Sequence, residues 1–205
     1  MSVFDTGAKL FARLAAVGVL SMLAACGTFY VDTNIHDLTP AERAIVATPR
    51  PVQLLFDFQT KGVSNSTARD YVKNTVIQAV EDTGLFSAVG PDAQPGGAIL
   101  QVTINNVPLS DDAFAKGFVT GFTFGLVGNT VGDGYICTAE YIGGPNDPKI
   151  SKSVRDAIYT SLGATASAPQ HAQKVSNMDA AVKAMTHKCV GNAIDQVARD
   201  PGFAK

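Results

Sequence analysis

The side chains able to do covalent or acid–base chemistry are few in this chain and lie far apart. The three histidines, His36, His171 and His187, show no HExxH or other paired ligand spacing, so no metal site is expected from them. There is no Gly-x-Ser-x-Gly elbow and no glycine loop ending in a Walker lysine. Asp111 and Asp112 are adjacent, and neighbouring carboxylates in a strand or loop point apart, which makes a poor general acid/base pair. His187 stands two residues from Cys189, a spacing that sends the two side chains to different faces of a helix, so the imidazole is not expected to act as the thiol's base. These residues read as a protein without catalytic, cofactor-binding or metal-binding residues, working by binding rather than catalysis. Two other readings stay open. One is a hydrolase or lipid-handling protein that gathers Asp133, Tyr135, His171 or His187 in a cleft, the other a carrier with a closed apolar cavity.

The remaining reactive groups are Cys26, Cys137 and Cys189. Cys26 follows a basic stretch with Lys9 and Arg13 and a short apolar core at residues 14–22, too brief for a helix that must cross about 30 Å of hydrocarbon. The sequence Leu23-Ala24-Ala25-Cys26 resembles the lipobox of bacterial lipoproteins at every position. The resemblance implies cleavage of residues 1–25 as a signal peptide, a diacylglyceryl thioether on Cys26 and acylation of its new amino group, a stable lipid anchor. Gly27 stands where the family's inner-membrane retention signal has Asp, which implies the periplasmic face of the outer membrane.

Two of the 16 Lys and Arg (Lys9 and Arg13) and one of the 18 Asp and Glu (Asp5) fall in that leader, leaving 14 against 17. The cations are scattered and the chain has no Trp, so neither a phosphate-neutralising patch nor a stacking platform for nucleic acid is expected.

The elements that must position these groups follow from periodicity. Residues 26–50 read as a lipidated, irregular tether, polar from Gly27 to Asp37, and a short helix opened by the capping box Thr39-Pro40-Ala41-Glu42. Residues 51–205 read as a single periplasmic domain. Val52, Leu54, Phe56 and Phe58 alternate with polar residues as in a half-buried strand. Residues 64–66 offer caps for a helix burying Ala68, Val72, Val76, Ala79 and Val80 and stopped at Gly84. Short and long strands follow at residues 86–89 and 98–105. Tyr135, Cys137, Ala139 and Tyr141 share one side of a further strand, and the turn formers of residues 143–148 lead to its hairpin partner from Ile150. Residues 163–175 read as a loop. Ser176 caps a closing helix at about 177–199 whose face carries Met178, Met185, Cys189, Ala193 and Val197.

The order strand, helix, TGLFSAV, loop, AILQVTI over residues 51–107 is similar to small α/β modules of envelope lipoproteins and to the amino-terminal domain of the translocation protein TolB. That resemblance implies a binding or assembly module. The fold class expected is α+β, one mostly antiparallel sheet with two main helices on one face.

With Cys26 assigned to lipid, Cys137 on the inner side of its strand and Cys189 on the apolar face of the helix expected to cover that sheet remain in an oxidising compartment, either bridged or as two buried thiols. Residues 116–131, KGFVTGFTFGLVGNTV, hold Gly117, Gly121, Gly125 and Gly128 beside Phe118, Phe122, Phe124 and Leu126. They read as a buried segment, as an apolar flap touching the membrane or an envelope protein partner, or as a self-associating glycine helix.

Overall fold

The computed structural model describes residues 27–108, 130–162 and 168–203. Cys26 with its leader, Asp111, Asp112 and the glycine-rich segment from Gly117 to Gly128 lie outside the described residues.

In chain order the elements are β1 (Gly27–Asp32), β2 (Arg50–Thr60), β3 (Val63–Ser64), α1 (Ser66–Asp82), β4 (Phe86–Gly90), β5 (Ile99–Pro108), β6 (Thr130–Ile142), β7 (Ile150–Leu162), β8 (Ala172–Val175) and α2 (Met178–Ala198). The eight strands form one sheet in the order β3-β2-β5-β6-β7-β1-β8, with β4 also on β2. Only β2–β5 and β2–β4 are parallel, so the sheet is mostly antiparallel and the fold is α+β.

Local signals account for most of these elements. In β2 the alternation buries Val52, Leu54 and Phe58. Helix α1 is capped by Asn65, whose Oδ1 accepts from Ala68 N at 3.0 Å, and it buries Val72, Val76, Ala79 and Val80. Gly84 takes φ +68°, donates to Glu81 O at 3.0 Å, and lets Leu85 fold back into the core. The β6–β7 hairpin runs from Tyr141↔Ile150 to Thr130↔Ser161, with Tyr135, Cys137, Ala139 and Tyr141 inward. Asn177 rather than Ser176 caps α2, accepting from Ala180 N at 2.8 Å, and Met185, Cys189, Ala193 and Val197 are buried while Met178 is exposed.

Three local expectations are corrected. Residues 27–32 are not part of a tether: they form β1, between β7 and β8, with Tyr30, Val31 and Asp32 buried. β7 is 13 residues long and its outer backbone groups need partners, which this short segment supplies. The stretch read as a loop to residue 175 contains β8, the antiparallel partner of β1. The short helix after Thr39 is a single turn. Glu42 Oε2 does accept from Thr39 N at 2.9 Å and Thr39 Oγ1 at 2.8 Å, so the capping contacts form. Ala44 N, which would continue the helix, instead donates to Asp195 Oδ1 at 2.6 Å.

Both helices and the inner sheet face share one core, which Phe86, Tyr141 and Phe203 close at one end with ring centroids 4.5–6.1 Å apart. At its centre Cys137 of β6 and Cys189 of α2 form a disulfide with Cα atoms 5.9 Å apart.

Candidate functional site

Three polar or open features stand out. The first lies under α2. Lys188 is 6 % exposed; its Nζ donates to the Asp32 carbonyl and sits 3.1 Å from Asp156 Oδ2, at ion-pair distance but without hydrogen-bond geometry. Asp156 Oδ1 accepts from Ala157 N at 2.8 Å, and Tyr159 OH lies 3.4 Å from Asp32 Oδ2. Burial pushes the Asp156 carboxyl up to about 7 against the pull of Lys188. Burial likewise raises Asp32, and it raises the phenols of Tyr135 and Tyr159 with help from nearby carboxylates. Since Asp156 is fully buried, this cluster joins α2 to β1 and β7 and offers no surface to a substrate.

The second is centred on His187. Its Nδ1 is 2.9 Å from Asp37 Oδ1 and its Nε2 2.9 Å from Asp82 Oδ2, so one imidazole ties the β1–β2 connection and the end of α1 to α2. The bond to Asp37 raises the imidazole above its ordinary value, with burial opposing and Asp82 reinforcing; the same bond lowers Asp37. Both ring nitrogens are engaged, leaving none to act as a base. The adjoining cavity is about 20 Å³, space for one water and not for a substrate.

The hydrolytic set is not brought together. Asp133 and Tyr135 lie on the inner side of β6, His187 in the seam between the helices, and His171 in the turn before β8, where its carbonyl accepts from Thr33 N at 2.7 Å. His36 is at the surface, 3.0 Å from Glu42. Among the described residues no three metal-ligating side chains converge, and no helix is long and apolar enough to cross a membrane.

The third feature is a break in a sheet edge. β4 covers β2 as far as Gln53↔Gly90, and β3 covers it from Gln59↔Ser64. Among the described residues no strand pairs with residues 54–57 on that side. Gln53 N donates to Ala98 O at 3.0 Å, toward β5, and successive residues of a parallel ladder face opposite ways. The Gln53↔Gly90 pairing therefore uses the Leu54 N–H, and the Leu54 C=O with both backbone groups of Phe56 turn into the gap, while the Phe58 carbonyl is taken by Asn65 N at 2.7 Å. β4 stops at Gly90, and the Pro91 that follows it has its carbonyl held by Gln53 Nε2 at 2.8 Å.

The gap opens on a groove of about 450 Å³, walled by Leu55, Ile77 and Val89 and by Arg69, Asp70 and Lys73 of α1. Arg69 pairs with Asp70 at 3.0 Å; among the described residues Lys73 has no ionic partner. Such an edge can accept an extended backbone in line with β4, and Lys73 can meet a carboxylate on it. The sequence holds one signal for this site, the proline directly after the SAVG strand, and periodicity alone reads it only as the start of a loop.

No protein-family model matches the chain, and no curated protein matches it. Among solved structures it is similar to a PelC dodecamer from Paraburkholderia phytofirmans, at 10% identity over 84% of this chain and 97% of that one, with a TM-score of 0.37. It is also similar to a neuraminyllactose-binding hemagglutinin homolog from Helicobacter pylori, at 12% identity over 82% and 91% of the two chains, with a TM-score of 0.35. Likeness at this level transfers no function to this chain.

Proposed function

We propose that the chain is a lipoprotein held through Cys26 at the periplasmic face of the outer membrane, and that its domain is a non-enzymatic binding or assembly module for an envelope protein. The observation that carries the binding role is the uncovered stretch of β2 beside its groove. An extended segment of the partner adds to β2 through the Leu54 carbonyl and the backbone groups of Phe56, with an acidic side chain toward Lys73. The Cys137–Cys189 bridge supports the exported location, since such bonds persist in oxidising compartments.

Binding is tested with the full chain and a fluorescein-labelled, end-blocked octapeptide in which threonine alternates with valine and one glutamate. Methylating a peptide nitrogen that faces β2 removes a hydrogen bond worth about 1 kcal/mol, about a fivefold loss of affinity. Binding indifferent both to that methylation and to Lys73→Glu rejects strand addition. Lipidation is tested separately by acyl-chain mass spectrometry of the wild type and Cys26→Ser, and by globomycin; a normal mature form under the drug removes the anchor.

A further inference from the structure

The strands of the sheet are staggered. β5 ends at Pro108, paired with Asp133, so residues 130–132 of β6 run past it, and among the described residues β7 alone is paired with them. β1 extends the same way on the far side of β7, from Val31↔Ile158 out to Gly27↔Leu162. Among the described residues, three strands therefore extend beyond the end of β5 as a tip made of Gly27, Thr28 and Phe29, of Thr130, Val131 and Gly132, and of Thr160, Ser161 and Leu162.

None of these nine residues is charged. The register puts Gly27, Phe29, Val131, Thr160 and Leu162 on one face. Val131 is 46% exposed and Leu162 44%, although both are large and apolar. A Cβ at Gly27 would lie 3.5 Å from Phe29 Cζ and 3.9 Å from Leu162 Cδ2, so the patch surrounds the first residue of β1. Thr130 Oγ1 and Ser161 Oγ satisfy one another at 2.7 Å, which lowers the penalty for taking this tip out of water.

Cys26, the residue that the lipoprotein reading makes the lipid anchor, is one peptide bond from Gly27. We infer that the tip of β1, β6 and β7 rests directly on the bilayer, with Val131 and Leu162 among the lipid headgroups and upper acyl chains. This rests on the lipoprotein reading above and adds an orientation to it: there is no spacer between anchor and sheet, so the domain stands on its β1–β6–β7 end. The partner is a lipid surface, recognised by an uncharged apolar patch at the foot of the lipid anchor.

The test uses the full lipidated chain in phosphatidylcholine vesicles with brominated acyl chains. Val131→Cys, Leu162→Cys and, at the opposite end of the hairpin, Ser151→Cys are each labelled with a small fluorophore under non-reducing conditions. Ser151 pairs with Glu140, nine residues along β6 from Val131, or about 30 Å. Loss of most fluorescence at 131 and 162 with little loss at 151 is expected. Equal quenching at all three positions, in protein whose Cys26 carries acyl chains by mass spectrometry, overturns the orientation while leaving the anchor intact. Absence of acyl chains overturns both.

Discussion

The Cys137–Cys189 bridge permits a quantitative test of how the domain is held together. It joins the middle of β6 to the middle of α2 across a sequence separation of 52 residues, and both cysteines are fully buried. Cross-linking a loop of that length removes roughly 14 cal/mol/K of denatured-state entropy, or about 4 kcal/mol at room temperature. Against a total stability of about 5–15 kcal/mol, that is a large fraction. For a domain of this size it corresponds to a fall in Tm of about 8–16 °C. The measurement is urea unfolding of the oxidised protein, the reduced protein and Cys137→Ala/Cys189→Ala. Reduction leaves two thiols where the bridge was, so it separates the entropy of the cross-link from the packing lost in the alanine pair. The reduced protein should lose about 4 kcal/mol with a larger m value, because its denatured chain expands. A loss below about 1 kcal/mol on reduction refutes the reasoning: the denatured chain would then already hold β6 and α2 together.

Lys188→Met leaves Asp156 buried without its cation and is expected to destabilise by about 3–5 kcal/mol at pH 8, with Asp156→Leu in the same chain recovering much of it. Because the folded-state pKa of Asp156 is raised, its contribution is present below the ordinary value of 3.8 and is lost as pH rises through about 7. The loss from Lys188→Met should therefore be smaller at pH 5, and Asp156→Asn should flatten the fall in stability between those limits; equal losses at both pH values reject this account. His187 is also raised, so its contribution is complete below its ordinary value of 6.5 and disappears above the folded pKa. His187→Gln should cost about 1 kcal/mol at pH 6 and less at pH 9 in thermal unfolding, the modest size reflecting its partial exposure.

Much of the architecture is legible in local pattern. The alternation in β2, the valine stripe of α1, the glycine after it and the turn between β6 and β7 each depend on residues within a dozen positions. The facing positions of Cys137 and Cys189 follow once a strand and a helix are each given an inward side, although pairing them needs the tertiary fold. Segments without their own signal are the ones misread. GTFYVD is too short to declare a strand, and it becomes β1 because β7 presents an unpaired edge. The capping box at Thr39 is genuine, yet Asp195, 151 residues beyond Ala44, takes the Ala44 amide that would have continued the helix.

The candidate sites divide in the same way. Leu23-Ala24-Ala25-Cys26 is read by contiguous residues, so a lipid anchor is implied from sequence alone, as is an α+β domain with two inward-facing cysteines. The two surfaces proposed for docking are products of register. Among the described residues no strand covers 54–57 because two strands stop short on the same side of β2, and the uncharged tip exists because β6, β7 and β1 run past β5. The ion pair of Lys188 with Asp156 and the carboxylates around His187 likewise join segments far apart in sequence. Local periodicity specifies which face of an element is apolar, whereas the offset between elements is set by non-local pairing and side-chain packing, and these sites lie where the offsets leave backbone or apolar surface uncovered.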